Sequence, residues 1–225
     1  MGRAGRIAIG AAVAIVLALA LAQLLLPRIA AGIISSRVGR YGRVLSVSVS
    51  AWPAIELLWR DADSVTVKAG ALSLSPQQAA KLVWEGRGAD RIDFTAASVR
   101  LGPLRLTDVS MRKRADELSA QGSASAADVR AALPPGLSVA LARSEGGSVV
   151  VKASGGPFRV GASVTAVAGP QEGKLVARPR GALLGGLHLT LFADRHVYVQ
   201  GIAASVEGES GGVASYRLYM RARVR

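Results

Sequence analysis

The hydrophobic pattern takes three successive forms in the first fifty residues. From Ile7 to Leu26, IAIGAAVAIVLALALAQLLL, twenty residues carry no charge and Gln23 is the only strongly polar side chain. As a helix rising about 1.5 Å per residue, this run is about 30 Å long, the thickness of a bilayer's hydrocarbon core. After Pro27 the apolar residues Ile29, Ile33, Ile34 and Val38 recur at helical spacing, with Arg28, Arg37, Arg40 and Arg43 around them. That spacing predicts a short amphipathic helix, separate from the first run and ended by Gly39 and Gly42. From Val44 the period falls to two: Leu45, Val47, Val49 and Ala51 face one way and Ser46, Ser48 and Ser50 the other, a half-buried strand that Pro53 stops.

The segment PAIELLWR then predicts a short helix or turn, with Asp61 and Asp63 leading into a second strand, SVTVKAGALSLS. Ser75-Pro76 supplies an N-cap hydroxyl and a proline at the first helical position for a helix closed by Gly86 and Gly88. Ile92, Phe94 and Ala96, then Val99 and Leu101, alternate up to Gly102-Pro103. Leu104 and Leu106, then Val109 and Met111, alternate back, which predicts an antiparallel hairpin. A strand from Leu118 to Ala124 leads to Ser125 and Asp128, at capping-box spacing, and a helix that Pro134-Pro135-Gly136 terminates. Strands follow at Leu137–Arg143, Ser148–Ala153, Phe158–Val167, Lys174–Ala177, Leu187–Phe192, His196–Val206 and Val213–Val224. At this density they predict an α+β, mostly β fold: a strongly bent antiparallel sheet or barrel wrapped around one or more short helices. A sandwich around a dry core fits the alternation equally well.

The apolar run sets compartment. Arg3 and Arg6 precede it and no acidic residue occurs before Glu56, so the positive-inside rule keeps the amino terminus in the cytoplasm and sends the rest across. The expectation is a cell-membrane protein with residues 1–27 as signal anchor or signal peptide and residues 28–225 as one exported, periplasmic or cell-envelope domain. Cleavage after Ala22, at Ala20-Leu21-Ala22, would make it secreted. Two of the 28 basic residues lie in the first 27, leaving 26 against 15 acidic, a net of +11. Outside the cytoplasm the polyanions within reach of that excess are lipid headgroups and acidic polymers, not nucleic acid. Arginine outnumbers lysine 23 to 5, as a GC-rich genome would produce without any binding role.

Reactive chemistry is sparse. Without cysteine there is no disulfide, thiolate nucleophile or cysteine metal site. His188 and His196, with no carboxylate partner assigned to either, read as structural and are too few for a typical zinc site. No G-x-S-x-G elbow, Rossmann fingerprint or P-loop occurs, and Asp61 with Asp63 reads as a turn cap before it reads as a cation site. No catalytic set, metal or cofactor is expected, and the protein is not read as an enzyme. Half of the residues are hydrophobic, more than a dry core of this size needs, and a sheet rolled around an apolar tunnel would use the excess.

The order of these features resembles the LmeA-like phospholipid-binding proteins of actinobacterial cell envelopes. An apolar anchor, a proline, an amphipathic helix, VLSVSVSAWPAIELLWRDADSVTVKAGALSLS, a strand pair, and SASAADVRAAL before a Pro-rich turn carry the resemblance. Ala51-Trp52-Pro53 stands where the family has a Gly-aromatic-Pro turn. The resemblance implies a fold related to tubular lipid-binding domains and a role in envelope maintenance or lipoglycan assembly, with no catalytic reaction. Acyl chains of a phospholipid would enter between sheet and helix, with Trp52, Leu58, Trp59 and Trp84 near the mouth because indole suits an interface. Arg37, Arg40 and Arg43 would meet anionic headgroups, with Arg112-Lys113-Arg114 and Arg217, Arg221, Arg223 and Arg225 as further basic groups. The alternative is a non-catalytic envelope adaptor binding a protein or an acidic polymer.

Overall fold

In the computed structural model, which describes residues 3–52, 54, 57, 61–133, 135–155, 163–180, 188–210 and 213–225, the two apolar runs flanking Pro27 form one helix. Helix α1, Arg3–Gly39, is 37 residues long with Pro27 inside it. Pro27 has no N–H to give the Gln23 carbonyl, a defect that usually breaks or kinks a helix. Tertiary contacts on both sides hold this one: Gln23 is bonded to the chain after the first strand, and Ala30, Ala31, Ile34 and Val38 pack on the sheet. The expected short amphipathic helix is therefore the second half of α1, its inner stripe packed on the domain.

The remaining elements follow closely the order read from the sequence. They are β1 Gly42–Ser50, β2 Ala62–Leu74, α2 Pro76–Glu85, β3 Ala89–Leu101, β4 Leu104–Arg114, β5 Glu117–Ser125, α3 Ala126–Ala131, β6 Leu137–Glu145, β7 Ser148–Gly155, β8 Ser163–Gln171, β9 Lys174–Pro179, β10 Leu189–Phe192, β11 Val197–Ser210 and β12 Val213–Val224. The expected strand from Phe158 starts at Ser163, and residues 158–162 lie outside the described residues. Helix α2 has its capping box: Ser75 Oγ accepts from Gln78 N–H at 3.2 Å and Gln78 Oε1 accepts from Ser75 N–H at 2.7 Å.

The strands form a seven-stranded sheet in the order β1-β2-β3-β4-β5-β12-β11 and a five-stranded sheet in the order β10-β9-β8-β7-β6. Both are strongly curved and neither closes into a barrel. One junction departs from the antiparallel expectation: β2 and β3 are parallel, Ala62 opposite Ala89 and Leu74 opposite Leu101. Parallel neighbours need a crossover of about a dozen residues or more, and α2 is that crossover.

Four neighbouring strands change face at one level, which bends the larger sheet. Val65, Val67 and Ala69 are buried on β2, then Leu72 and Leu74; on β3 the step runs from Ala96 to Val99. Asp108 on β4 takes a φ of 49°, the register to β5 shifts between Thr107 and Ser110, and β1 shifts between Gly42 and Ser46. Each is a bulge, and bulges in register fold a sheet along a line. The three-residue steps from Ala96 to Val99 and from Leu106 to Val109 mark where that line crosses β3 and β4.

The five-stranded sheet meets the larger one at the free edge of β11. Val199 N–H donates to Gly173 O and Ile202 N–H to Gly147 O, both at 2.8 Å, and Ala204 N–H donates to Ser144 Oγ at 3.1 Å. The β6–β7 and β8–β9 turns thereby satisfy edge groups that would otherwise template aggregation.

Candidate functional site

One face of the seven-stranded sheet is apolar from edge to edge. On β12, Tyr216, Leu218, Met220, Ala222 and Val224 lie on it while Arg217, Tyr219, Arg221 and Arg223 lie on the other. Register carries the apolar face to Leu118, Ala120 and Ala124 on β5 and to Val197, Val199, Ile202, Ala204 and Val206 on β11.

Two helices cover part of this face. The inner stripe of α1 packs on Val49, Val65, Val67 and Ile92. Helix α2 sits further across: Ala79 and Leu82 reach Ala69, Leu72 and Val99, while Ala80 and Val83 pack with Leu118, Val197, Ala222 and Val224. Beyond α2 the face is less covered. Leu104, Leu106, Ile202 and Leu218 are half-buried, and Val206 is 59% exposed.

The smaller sheet repeats the motif. Val139 and Leu141 on β6, Val151 and Ala153 on β7, Val164, Ala166 and Ala168 on β8, and Ala177 on β9 share one face by register, and each is half-buried. Leu189 of β10 pairs with Ala177 and is 64% exposed. Contiguous exposed apolar surface marks a site for a ligand, a membrane or another protein. A groove of 440 Å³ runs along the fold line, with Leu45, Lys68, Thr95, Ala97, Asp108 and Gln121 among its walls.

Trp52 and Trp84 have different surroundings. Trp52 is 75% exposed, next to Ala51, whose carbonyl accepts from Gln23 Nε2 at 3.3 Å. Trp84 is half-buried at the end of α2, its ring 4.6 Å from that of His196 and 4.1 Å from the Arg87 guanidinium. Leu58 and Trp59 lie outside the described residues, as does most of the helix or turn expected there; Ala54 and Leu57 are in 3₁₀ conformation. Arg37 pairs with Glu85 at 3.6 Å. Arg40 and Arg43 are exposed past the far end of α1 from Gln23.

Two expectations are corrected. Lys113 was grouped with surface cations, yet it is 1% exposed, because alternation along β4 turns Lys113 and Met111 to the apolar face and Arg112 and Arg114 away. Its ammonium donates to the carbonyls of Arg87, at 3.1 Å, and Ala89. Burial pushes its pKa below the ordinary lysine value, and Asp90 and Asp116 oppose the shift. His196 does have a carboxylate partner: Nδ1 lies 3.1 Å from Asp194 Oδ1. Its Nε2 accepts from Arg195 Nε at 3.1 Å, so both ring nitrogens are engaged. Among the described residues no group of three or more His, Cys, Asp or Glu is placed to hold a metal ion.

The apolar positions beyond α2 each lie on a strand expected from the sequence. Their signal was the alternation YRLYMRARV in β12, apolar on every second residue against arginine and tyrosine.

Two curved sheets, each with one apolar face only partly roofed by helices, present surface suited to an apolar ligand. The LmeA-like phospholipid-binding family model matches residues 16–206, and the chain belongs to that family. No curated protein and no solved structure matches it.

Proposed function

We propose that this protein is a non-catalytic, membrane-anchored lipid carrier or holder outside the cytoplasmic membrane, serving envelope maintenance or lipoglycan assembly. The apolar run of α1 that begins at Ile7 spans the bilayer, and acyl chains of a phospholipid lie along the apolar sheet faces. Family membership supports the phospholipid, and the apolar run supports the anchor. The observation that carries the reading is the apolar face of the seven-stranded sheet, continuous across β12, β5 and β4 and only half covered beyond α2.

A phospholipid with a photoactivatable acyl chain, crosslinked to the full chain in membranes and mapped by mass spectrometry, tests this. Adducts on β4, β11 and β12 are the expected result. Adducts confined to α1 would sink the reading, since a bare anchor also touches lipid.

A further inference from the structure

We infer that the domain stands on the membrane by the end of the seven-stranded sheet where α1 enters, and that Trp52 with Arg87, Arg91, Arg114, Arg195 and Arg225 forms its contact with an anionic lipid surface. This rests on the anchored reading above.

Register traces that end across the sheet. Ser50 faces Ser64, Ala62 faces Ala89, Arg91 faces Arg114, Arg114 faces Glu117, and Val197 faces Val224. Helix α1 arrives at the same end: the Gln23 amide holds Ala51 O and Ala54 N–H, immediately after β1. Leu21, Leu24 and Leu25 beside it are 57%, 63% and 51% exposed, continuing the apolar surface of the span to this corner. Trp52 projects there, where bilayer-spanning proteins place interfacial indoles.

The sheet's curvature keeps the end together despite its width. Stacking of Trp84 on His196 ties the end of α2 to the start of β11, and Arg225 N–H donates to His196 O at 2.8 Å. Two guanidiniums are stacked on rings, Arg87 on Trp84 and Arg225 on Tyr198 at 4.2 Å, while Arg195 is held through its Nε, which donates to His196 Nε2. A stacked guanidinium keeps its edge donors for phosphate. Of the acids at this end, Asp116 pairs with Arg223 at 3.5 Å and Asp194 with His196, while Asp61, Asp63, Asp90 and Glu117 are exposed beside the arginines. By contrast, Arg37 and Arg40 sit about 20–25 Å along α1 from Gln23, away from the bilayer.

The chain has no cysteine, so single nitroxide labels at Ala14→Cys, Trp52→Cys, Arg114→Cys, Arg40→Cys and Arg105→Cys report depth in phosphatidylglycerol and phosphatidylcholine vesicles. Relaxation by lipid-soluble oxygen relative to a water-soluble nickel complex is expected to be several-fold higher at 52 and 114 than at 40 and 105. A second expectation is that Arg87→Gln with Arg195→Gln loosens the label at 114 in phosphatidylglycerol and leaves it unchanged in phosphatidylcholine. If 52 and 114 are as wet as 105 while 14 lies in hydrocarbon, the orientation is overturned and the anchor stands. If 14 is also in water, the anchored reading fails and takes the inference with it. Equal loosening in both lipids overturns the anionic contact.

Discussion

The backbone N–H of Ala54 donates to the side chain of Gln23 across thirty-one residues of chain, at 2.8 Å. The same amide donates to Ala51 O, so the one strongly polar side chain of the apolar run is a clasp between helix and sheet. In either fate of the amino-terminal segment, Gln23 is where α1 joins the domain: cleavage after Ala22 would leave it as the first residue, and an uncleaved span would end beside it. With α1 unbroken through Pro27, the apolar run and the sheet-packed half of the helix form one rod.

Replacing Gln23 by Leu lengthens the apolar run and removes both bonds. An unpaired, part-buried backbone group costs roughly 1–3 kcal/mol, so the variant is expected to unfold at lower temperature. Gln23→Glu, which still accepts from Ala54, is expected to lose less. Circular dichroism melts of the two variants check the order, and a Leu variant as stable as the parent would dissolve the clasp.

The contact between the two sheets predicts a contrast between two glycines. Gly173 has φ +78°, and a Cβ there would collide with the Tyr198 ring; Gly102 has φ +59° and open space around it. Gly102→Ala is expected to cost only the left-handed conformation, about 1–2 kcal/mol. Gly173→Ala adds the displaced Tyr198 and the strained Val199–Gly173 hydrogen bond, and is expected to cost at least about twice as much. Chemical denaturation of both variants checks the ratio.

How much of this was legible follows from how local each cause is. The capping hydroxyl of Ser75, the phase change between Ala96 and Val99 and the arginine alternation of β12 are written within a few residues, and each maps directly onto the fold. The continuity of α1 was hidden because Pro27 is a local helix breaker and the contacts that overrule it, Gln23 with Ala54 and Ile34 with the sheet, are long-range. Lys113 was misplaced for want of the rule used everywhere else: period two alone puts it beside Met111. The division into two sheets had no local sign, since β5 and β6 read alike and only pairing with β12 separates them. The half-covered apolar surface is made largely of leucine, valine and alanine, whose alternation is that of any half-buried strand.

Lys113 makes stability depend on alkaline pH. Burial lowers its pKa in the fold below the ordinary 10.5, so the unfolded chain keeps this proton to higher pH than the folded one. Between the folded value and 10.5 the unfolded state binds more protons, and stability rises with pH; below that window the cost of the buried charge is constant. Lys113→Met removes the titration and leaves the Arg87 and Ala89 carbonyls without their donor, a loss of roughly 1–3 kcal/mol. The parent's advantage over the variant is therefore expected to grow as pH rises toward 10.5, measured as a difference in unfolding midpoints. A constant or shrinking difference would mean that the ammonium is not desolvated.

The apolar face beyond α2 makes the sharpest prediction about function. Leu218 is half-buried on β12, between Gly122 of β5 and Ala204 of β11. A buried Leu→Asp change costs several kcal/mol, but a half-exposed site leaves the carboxylate a route to water, so Leu218→Asp is expected to fold with a loss of about 1–2 kcal/mol. Its effect on an acyl chain is different in kind, because a charge on the contact surface must be desolvated each time lipid binds. The expected outcome is a several-fold loss of photo-crosslinked phospholipid on β11 and β12, with crosslinks to α1 unchanged. Tyr219→Asp, one residue along and on the opposite, polar face, is the matched control and is expected to leave crosslinking intact. Loss in both variants would indicate general damage to the sheet, and loss in neither would move the lipid to the five-stranded sheet, where Ala166→Asp on β8 is the corresponding test.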